Sequence, residues 1–296
     1  MASIGEDIRN TFRDKGKILQ QIIVINVAIF IIDNILKFTG FSLKSIFGLP
    51  GNFLESILYF WSYITYMFFH VGFFHILFNM LWLFWIGKIL VEYLGSRKFL
   101  AVYFLGGIAG GLAYVIVYSF MSISGGPGMF PTLVGASAGV TAVLAAVGTL
   151  LPDYEIRLFL FGNVKMKYLA LGAIILTSVL DFSVNMGGKL AHLGGALFGF
   201  FYIRQLQKGV DLSISFFRVI DYVKGIFQSK PKMKAYKGGA KTKAKPKTRS
   251  QKQAGSMSSN QRQQKTDEIL DKISKSGYDS LSKEEKEFLF LVSKED

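Results

Sequence analysis

The chain has three histidines, His70, His75 and His192, and each lies in or beside an apolar stretch. His75 and Asn79 are four residues apart, so a helix would place both side chains on one face. Ser137 lies in the small-residue run GASAG. A serine hydroxyl becomes a nucleophile when a neutral imidazole accepts its proton, and His192 could be that base near neutral pH. These residue types therefore predict a nucleophilic site.

A nucleophilic site also needs hydrogen-bond donors where negative charge develops on the substrate. The candidates are the Asn79 amide, the His75 imidazole and the backbone N–H of Ser137 at a helix N-terminus, where the helix dipole favours an anion. No Asp or Glu follows His192 in its apolar stretch, so we expect a Ser–His pair without a carboxylate partner. The alternative is that the histidines only hydrogen-bond neighbouring helices and that the serine is incidental to a packing seam.

Long apolar segments must position these residues, because 51% of the 296 residues are hydrophobic and the mean hydropathy is +0.36. A bilayer core of ~30 Å needs roughly 20 helical residues to cross it. Six stretches meet that length and are predicted to be transmembrane helices. They are residues 18–38, 73–94, 97–121, 134–151, 164–182 and 189–206. The first is too long for the apolar region of a cleaved signal peptide.

Positive charge predicts how these helices are oriented. Lys and Arg concentrate in segment 1–17 and in the breaks after the second and fourth helices, so both termini are expected on the cytoplasmic side. The second, fourth and sixth helices then run inward from the outer surface, and the four candidate side chains all fall in their first two turns. A rise of 1.5 Å per residue puts them ~5–10 Å below that surface, in a site open to the non-cytoplasmic side.

The connection 39–72 is too long for a simple turn and too apolar for a loop in water. We expect it to lie in the outer membrane interface above the site, and the alternative is an ordinary belt of interfacial aromatic residues.

Small residues flank the serine and the last histidine. Gly135 and Gly139 lie on either side of the serine, and Gly195 and Gly199 follow the histidine with GxxxG spacing. Small residues let two helix backbones approach closely. This seam would bring the hydroxyl and the imidazole within hydrogen-bonding reach.

Three motifs resemble the signatures of rhomboid intramembrane serine proteases. They are HVGFFHILFNMLWLFWIG at 70–87, GASAG at 135–139 and AHLGGALFG at 191–199. Their order, spacing and topology match the family over roughly residues 18–206. The resemblance implies an all-α membrane protein with a six-transmembrane-helix bundle, here followed by a small helical C-terminal extension.

The resemblance also implies roles for single residues. Ser137 would be the nucleophile and His192 the general base. His75 and Asn79 would bind the oxyanion, and His70 would be structural. The implied substrates are transmembrane helices of other membrane proteins, cut near the outer surface, with no cofactor and no metal.

The chain departs from the family at one position near the site. Many members have an aromatic residue four positions after the serine, whereas this chain has Thr141.

A catalytically inactive rhomboid-like binder or chaperone is the main alternative function, although such relatives normally lack the serine or the histidine. A proton-coupled transporter using Asp33 and Asp181 is a further alternative without repeat patterns in its favour. A zinc site is not expected, since no HExxH motif occurs.

Most of the net charge of +14 lies after the last helix. A membrane-surface amphipathic helix is predicted at 207–227, a basic disordered linker at 228–265 and a small cytoplasmic helical hairpin at 266–296. Ser282 and Glu285 match a capping box within that hairpin. The linker is expected to contact anionic lipid head groups rather than nucleic acid. The predicted location is a bacterial inner membrane, and the absence of cysteine excludes disulfides.

Overall fold

The computed structural model describes Thr11 and the residues of five longer segments. These segments are 17–124, 132–158, 162–179, 185–227 and 259–292. The chain divides into two compact units, Met1–Lys230 and Pro231–Asp296. Each unit has its own cluster of buried apolar side chains.

The first unit is built mainly from helices. Its long helices are α1 (Ile18–Lys37), α5 (Phe73–Ile123), α6 (Ser137–Leu150), α7 (Met166–Ser178) and α8 (Met186–Gln207). The connection between α1 and α5 contains α2 (Lys44–Phe47), α3 (Phe53–Leu58), α4 (Ser62–Thr65) and a 3₁₀ turn, Tyr66–Phe68. Helix α9 (Leu212–Phe227) follows α8. The long helices therefore start and end close to the predicted spans.

Helix α5 contains two of the predicted spans, 73–94 and 97–121. The two halves meet at Gly95, whose φ of 80° and ψ of 164° are not helical. Glycine adopts positive φ with little strain because it has no Cβ. The second half of α5 can therefore run in a new direction directly after the first.

Two helices of the described residues are long and apolar enough to cross a membrane, judged by length and composition. They are Ile18–Lys37 and Phe73–Met121. Helices Ser137–Leu150 and Met166–Ser178 are apolar but shorter. The fold is helical as predicted, whereas the count of six transmembrane helices stays a prediction.

A short β-hairpin departs from the all-α prediction. Strands β1 (Glu155–Leu158) and β2 (Gly162–Lys165) pair antiparallel in the break between α6 and α7. Lys167 and Lys165 approach the Asp153 carboxylate to 2.9 and 3.2 Å. These hydrogen bonds hold the pKa of Asp153 below its usual value. Backbone pairing thus holds the two strands of this polar break together.

The core of the first unit lies where the second half of α5 meets α6 and α8. A Cβ built on Gly110 would collide with the carbonyl oxygen of Ala191 and lie 2.6 Å from the Ala138 Cβ. A Cβ on Gly194 would lie 2.7 Å from the Ala113 Cβ. Small residues thus allow these three helix backbones to pack closely, which carries the site residues of α6 and α8 to one place.

Helix α9 packs two of its aromatic rings against α5. The Phe216 ring stacks on Phe104 with centroids 6.4 Å apart, and the Arg97 guanidinium lies 4.5 Å from the Phe217 ring centre. Part of the apolar side of α9 is therefore covered by α5, and the position of 207–227 at the membrane surface stays a prediction. The apolar side chains that α9 does expose are Ile214, Val219, Tyr222, Val223 and Ile226.

The second unit is a pair of helices, α10 (Ser259–Ser276) and α11 (Lys283–Val292), joined by a 3₁₀ turn. Ile269, Leu281 and Phe288 form its buried core. Helix α10 begins inside the segment predicted as a disordered linker, so the predicted boundary at residue 265 is wrong. The rest of that linker, 228–258, lies outside the described residues, and its contact with lipid head groups stays a prediction.

The predicted capping box at the start of α11 is confirmed. The Ser282 backbone N–H donates to Glu285 Oε2 at 2.7 Å, and the Glu285 N–H donates to Ser282 Oγ at 3.2 Å. Lys272 on α10 donates to both Glu285 oxygens at 2.9 and 3.0 Å. This bond from Lys272 lowers the pKa of Glu285. One carboxylate thus caps α11 and ties it to α10.

Candidate active site

The segment that leads into α6 is held by backbone hydrogen bonds to the connection before α5. Leu49 and Leu133 exchange two such bonds, of 3.0 and 2.8 Å, and the Gly135 N–H donates to the Tyr66 carbonyl at 3.0 Å. Ser137 is then the first residue of α6. The N–H groups of a first helical turn have no acceptor within the helix. Ser137 therefore brings both a hydroxyl and an unused backbone donor to the same point.

Gly135 keeps the space beside this serine open. Its φ is 136°, which favours glycine, and a Cβ built there would lie 2.9 Å from His75 Cε1 and 3.5 Å from Ser137 Oγ. The His75 ring and the Ser137 hydroxyl therefore face the same small volume. A side chain at position 135 would occupy that volume and displace the ring.

The hydrogen bonds of His75 determine which ring nitrogen carries the proton. The Val71 N–H donates to His75 Nδ1 at 3.4 Å, so Nδ1 is the acceptor and Nε2 is the protonated nitrogen of the neutral ring. Nε2 lies 3.0 Å from the Cβ position of Gly135. His75 therefore presents an N–H donor on the side of Ser137.

Asn79 lies one turn further along α5 and is 7% exposed. Its amide nitrogen donates to the His75 carbonyl at 2.7 Å, which orients the side chain along the helix. An amide nitrogen carries two hydrogens. Asn79 therefore has a second donor for the cavity that it lines.

His192 on α8 is oriented by a backbone carbonyl. Its Nδ1 lies 3.3 Å from the backbone carbonyl oxygen of Thr177. A carbonyl oxygen only accepts hydrogen bonds, so Nδ1 carries the proton in this contact. The lone pair of the neutral ring is then on Nε2. The sequence offered no signal for this role of Thr177, because any residue has a carbonyl.

The predicted glycines lie in the seams between helices. A Cβ on Gly195 or Gly199 would collide with the carbonyl oxygens of Ala138 and Ala142 on α6. A Cβ on Gly139 would lie 2.8 Å from the Tyr103 carbonyl oxygen of α5. Any larger residue at these positions would force the backbones apart.

Thr141 hydrogen-bonds across the seam between α6 and α8. Its hydroxyl lies 3.0 Å from the carbonyl oxygens of Ser137 and Ala138 and 3.2 Å from that of His192. The position that is aromatic in many relatives thus links the two helices that carry the candidate nucleophile and base.

A cavity of about 720 Å³ brings the four predicted chemical residues together. Its walls include Ser137, His192, His75 and Asn79, and most of its remaining lining is apolar. The Ser137 hydroxyl and the His192 imidazole share this cavity without a direct hydrogen bond between them. Such bonds often form only in the reacting complex, so the arrangement can still support proton transfer.

His70 lies behind the cavity wall and is 1% exposed. Its Nε2 accepts a hydrogen bond from the Ala136 N–H at 3.4 Å, and its ring centre lies 5.0 Å from that of His75. Burial lowers the pKa of His70 to about 3, so the ring is neutral at physiological pH and can act as this acceptor. Within the described part of the chain, no group of three or more His, Cys, Asp or Glu could hold a metal ion.

Comparison with known families identifies the family of the chain. The family described as Rhomboid domain matches residues 58–208, half of the chain. The chain therefore belongs to the rhomboid family. A second family, described only as a family of unknown function (DUF6576), matches residues 256–295 and thus covers the C-terminal helix pair.

Several curated relatives are similar over part of their length. Presenilin-associated rhomboid-like protein A, mitochondrial, of Danio rerio is 34% identical over 137 residues, which are 45% of this chain and 34% of the relative. Rhomboid protein 1, mitochondrial, of Saccharomyces cerevisiae is 30% identical over 189 residues, 63% of this chain and 52% of the relative. Rhomboid-like protease 3 of Toxoplasma gondii is 25% identical over 166 residues, 55% of this chain and 57% of the relative.

These names overturn the predicted bacterial inner membrane. Both the fish and the yeast relatives are named as mitochondrial proteins, which contradicts the predicted bacterial location. The charge pattern orients helices relative to the two sides of a membrane. It contains no information about which membrane that is, and this is why the prediction was wrong.

Proposed function

We propose that the protein is an intramembrane serine endopeptidase that hydrolyses peptide bonds in or near the transmembrane segments of other membrane proteins. The observation that carries the proposal is the convergence of Ser137, His192, His75 and Asn79 on one cavity. They come from three different helix segments, α5, α6 and α8, so local sequence does not bring them together. Membership of the rhomboid family supports the same reaction class.

In the proposed first step, the Ser137 oxygen attacks the substrate carbonyl carbon while His192 Nε2 accepts the hydroxyl proton. The positive charge on the imidazole is stabilised through its Nδ1–H by the Thr177 carbonyl. The imidazolium then gives a proton to the leaving amine, and an acyl-enzyme remains. A water molecule, deprotonated by the same imidazole, hydrolyses that ester and restores the serine.

The oxyanion formed in each half-reaction would be bound by neutral donors. His75 offers Nε2–H, Asn79 its second amide hydrogen and Ser137 its backbone N–H at the start of α6. Donors already oriented before the reaction stabilise developing charge without reorganising. The hydrogen bonds from Val71 to His75 and from Asn79 to the His75 carbonyl supply that orientation.

The proposed substrates are transmembrane helices with weak helical propensity at the cleaved bond. A peptide bond inside a helix is hydrogen-bonded and shielded, so the substrate must unwind before Ser137 can attack. Gly, Ser or Pro close to the cleaved bond would lower that cost. The apolar walls of the cavity suit an unwound segment that arrives from lipid.

The test compares wild-type protein with Ser137→Ala and His192→Ala after purification in detergent. Each is incubated with single-span test substrates, and the cut sites are read by mass spectrometry. We expect wild-type protein to cleave and to react with a fluorophosphonate, and both variants to lose both activities. Ser119→Ala removes a hydroxyl from α5 that does not line the cavity, and should behave like wild type.

Undiminished cleavage by Ser137→Ala would show that the assigned nucleophile is wrong. A folded wild-type protein that binds test substrates, cleaves none and resists the fluorophosphonate would instead support the inactive binder or chaperone.

A further inference from the structure

Lys44 makes two interactions at the end of the first unit where the candidate site lies. It is the first residue of the short helix α2, and its ammonium group donates to the His70 carbonyl at 2.6 Å. The same group lies 3.5 Å from Asp33 Oδ2, and its side chain is 17% exposed. This lysine therefore connects α1 with the backbone just before α5.

Hydrogen bonds orient the Asp33 carboxylate toward the Lys44 ammonium group. Its Oδ1 accepts hydrogen bonds from the Leu43 N–H at 2.9 Å and from the Ser42 hydroxyl at 3.0 Å, and its side chain is 2% exposed. Two lysines face its other oxygen, Lys44 and, at 3.7 Å, Lys37. Asp33 is thus an anchored structural anion. Asp181, the other residue weighed for a transporter, lies outside the described residues.

His70 carries the contact onward to the site. Its imidazole accepts from the Ala136 N–H, one residue before the candidate nucleophile. The next residue, Val71, donates to the His75 ring. The backbone at position 70 is therefore linked both to the backbone that leads into Ser137 and to the His75 ring. These two groups lie on opposite sides of the proposed oxyanion.

We propose that Lys44 is a positioning residue that fixes the backbone at His70 and, through it, the oxyanion-binding side of the active site. The inference rests on the proposed protease function. Lys44 does not line the cavity, so it acts through His70 rather than on the substrate. Without the ammonium group, the His70 carbonyl would lose its charged donor, and the segment 70–75 could shift relative to Ser137.

The experiment uses three full-length variants. Lys44→Met replaces the lysine with an apolar side chain of similar length, and so removes the charge and the hydrogen-bond donors. Lys44→Arg restores a cationic donor. Lys37→Met is the matched control, because Lys37 also pairs with Asp33 but has no bond to His70. For each variant, kcat and KM are measured on one test substrate, normalised to folded monodisperse protein.

We expect Lys44→Met to lower kcat by about 10-fold or more with KM within about twofold, since small displacements of catalytic groups reduce turnover strongly. Lys44→Arg should recover a substantial part of that loss. Lys37→Met should match wild type in both constants. A lysine that served only general stability would change the yield of folded protein and the melting temperature, but not kcat per folded molecule.

A further variant separates the two partners of Lys44. If Lys44 only neutralised Asp33, adding Asp33→Asn to Lys44→Met would restore kcat. If Lys44 acts through His70, the double variant should stay as slow as Lys44→Met. Full recovery of kcat in the double variant, or wild-type kcat in folded Lys44→Met, would overturn the proposed role of Lys44. Failure of the protease proposal looks different, because wild-type protein itself would then neither cleave nor react with a fluorophosphonate.

Discussion

The seam between α6 and α8 offers the most direct test of how packing supports the site. Gly195 lies three residues after the candidate base, and a Cβ there would collide with the Ala138 carbonyl oxygen and lie 2.9 Å from its carbon. Both atoms belong to the backbone of the residue after Ser137, so they cannot turn aside as a flexible side chain would. We therefore expect Gly195→Ala to push α6 and α8 apart.

The size of the effect follows from this geometry. Carbon atoms need ~3.5 Å between centres for a favourable contact, so the Ala138 carbon is about 0.6 Å too close. The carbonyl oxygen is closer still, so the helices must separate by about 1 Å. Overpacking of this kind typically costs about 1–3 kcal/mol of stability. A displacement of about 1 Å between reacting groups can lower turnover by roughly 100-fold. Gly195→Ala should thus lower both the melting temperature and, more strongly, kcat.

The matched control is Gly172→Ala on α7. A Cβ at Gly172 has nothing within 4 Å, and alanine is the better helix former by about 0.5–1 kcal/mol. The same substitution should therefore leave kcat unchanged and raise stability slightly. Both variants are assayed by thermal unfolding in detergent and by cleavage of one test substrate. Wild-type stability and kcat in Gly195→Ala would refute the argument that close approach of α6 and α8 is required.

Two further predictions concern Thr141 and the second unit. Thr141→Val should lower kcat by about 2- to 10-fold, the effect of losing one neutral hydrogen bond. Thr141→Ser keeps the hydroxyl and should retain activity. Equal kcat values for Thr141→Val and wild type in cleavage assays would contradict this prediction. Because the folded pKa of Glu285 is lowered, its stabilising effect is present above the unfolded pKa of about 4.3 and is lost as pH falls through the folded value. Hydrogen exchange should show α11 losing protection over that range, and Glu285→Gln should remove the dependence.

Much of the site could be predicted from residue types and spacing. The four-residue interval between His75 and Asn79 predicts one helix face, and both do line the same cavity. The capping box of Ser282 and Glu285 was equally readable, since both partners lie within one helical turn. Such features depend on residues close together in the chain.

Other features were invisible because they depend on backbone groups or on distant partners. The Thr177 carbonyl beside His192 leaves no trace in residue type. The contact between Lys44 and the His70 carbonyl spans 26 residues. The sequence predicts the apolar side of α9, but not whether lipid or protein covers it. In the structure, Phe104 and Arg97 of α5 contact the Phe216 and Phe217 rings.

The sequence by itself determined the helical class, the family and the small set of side chains with useful chemistry, because periodicity, hydropathy and motif spacing are local properties. Only the tertiary structure decided which nitrogen of each imidazole carries its proton, which glycines touch a neighbouring backbone, and that a lysine of the first connection donates to the His70 carbonyl just before α5. Those features arise where separate helices meet, and the geometry of such contacts is set by the packing of the whole bundle.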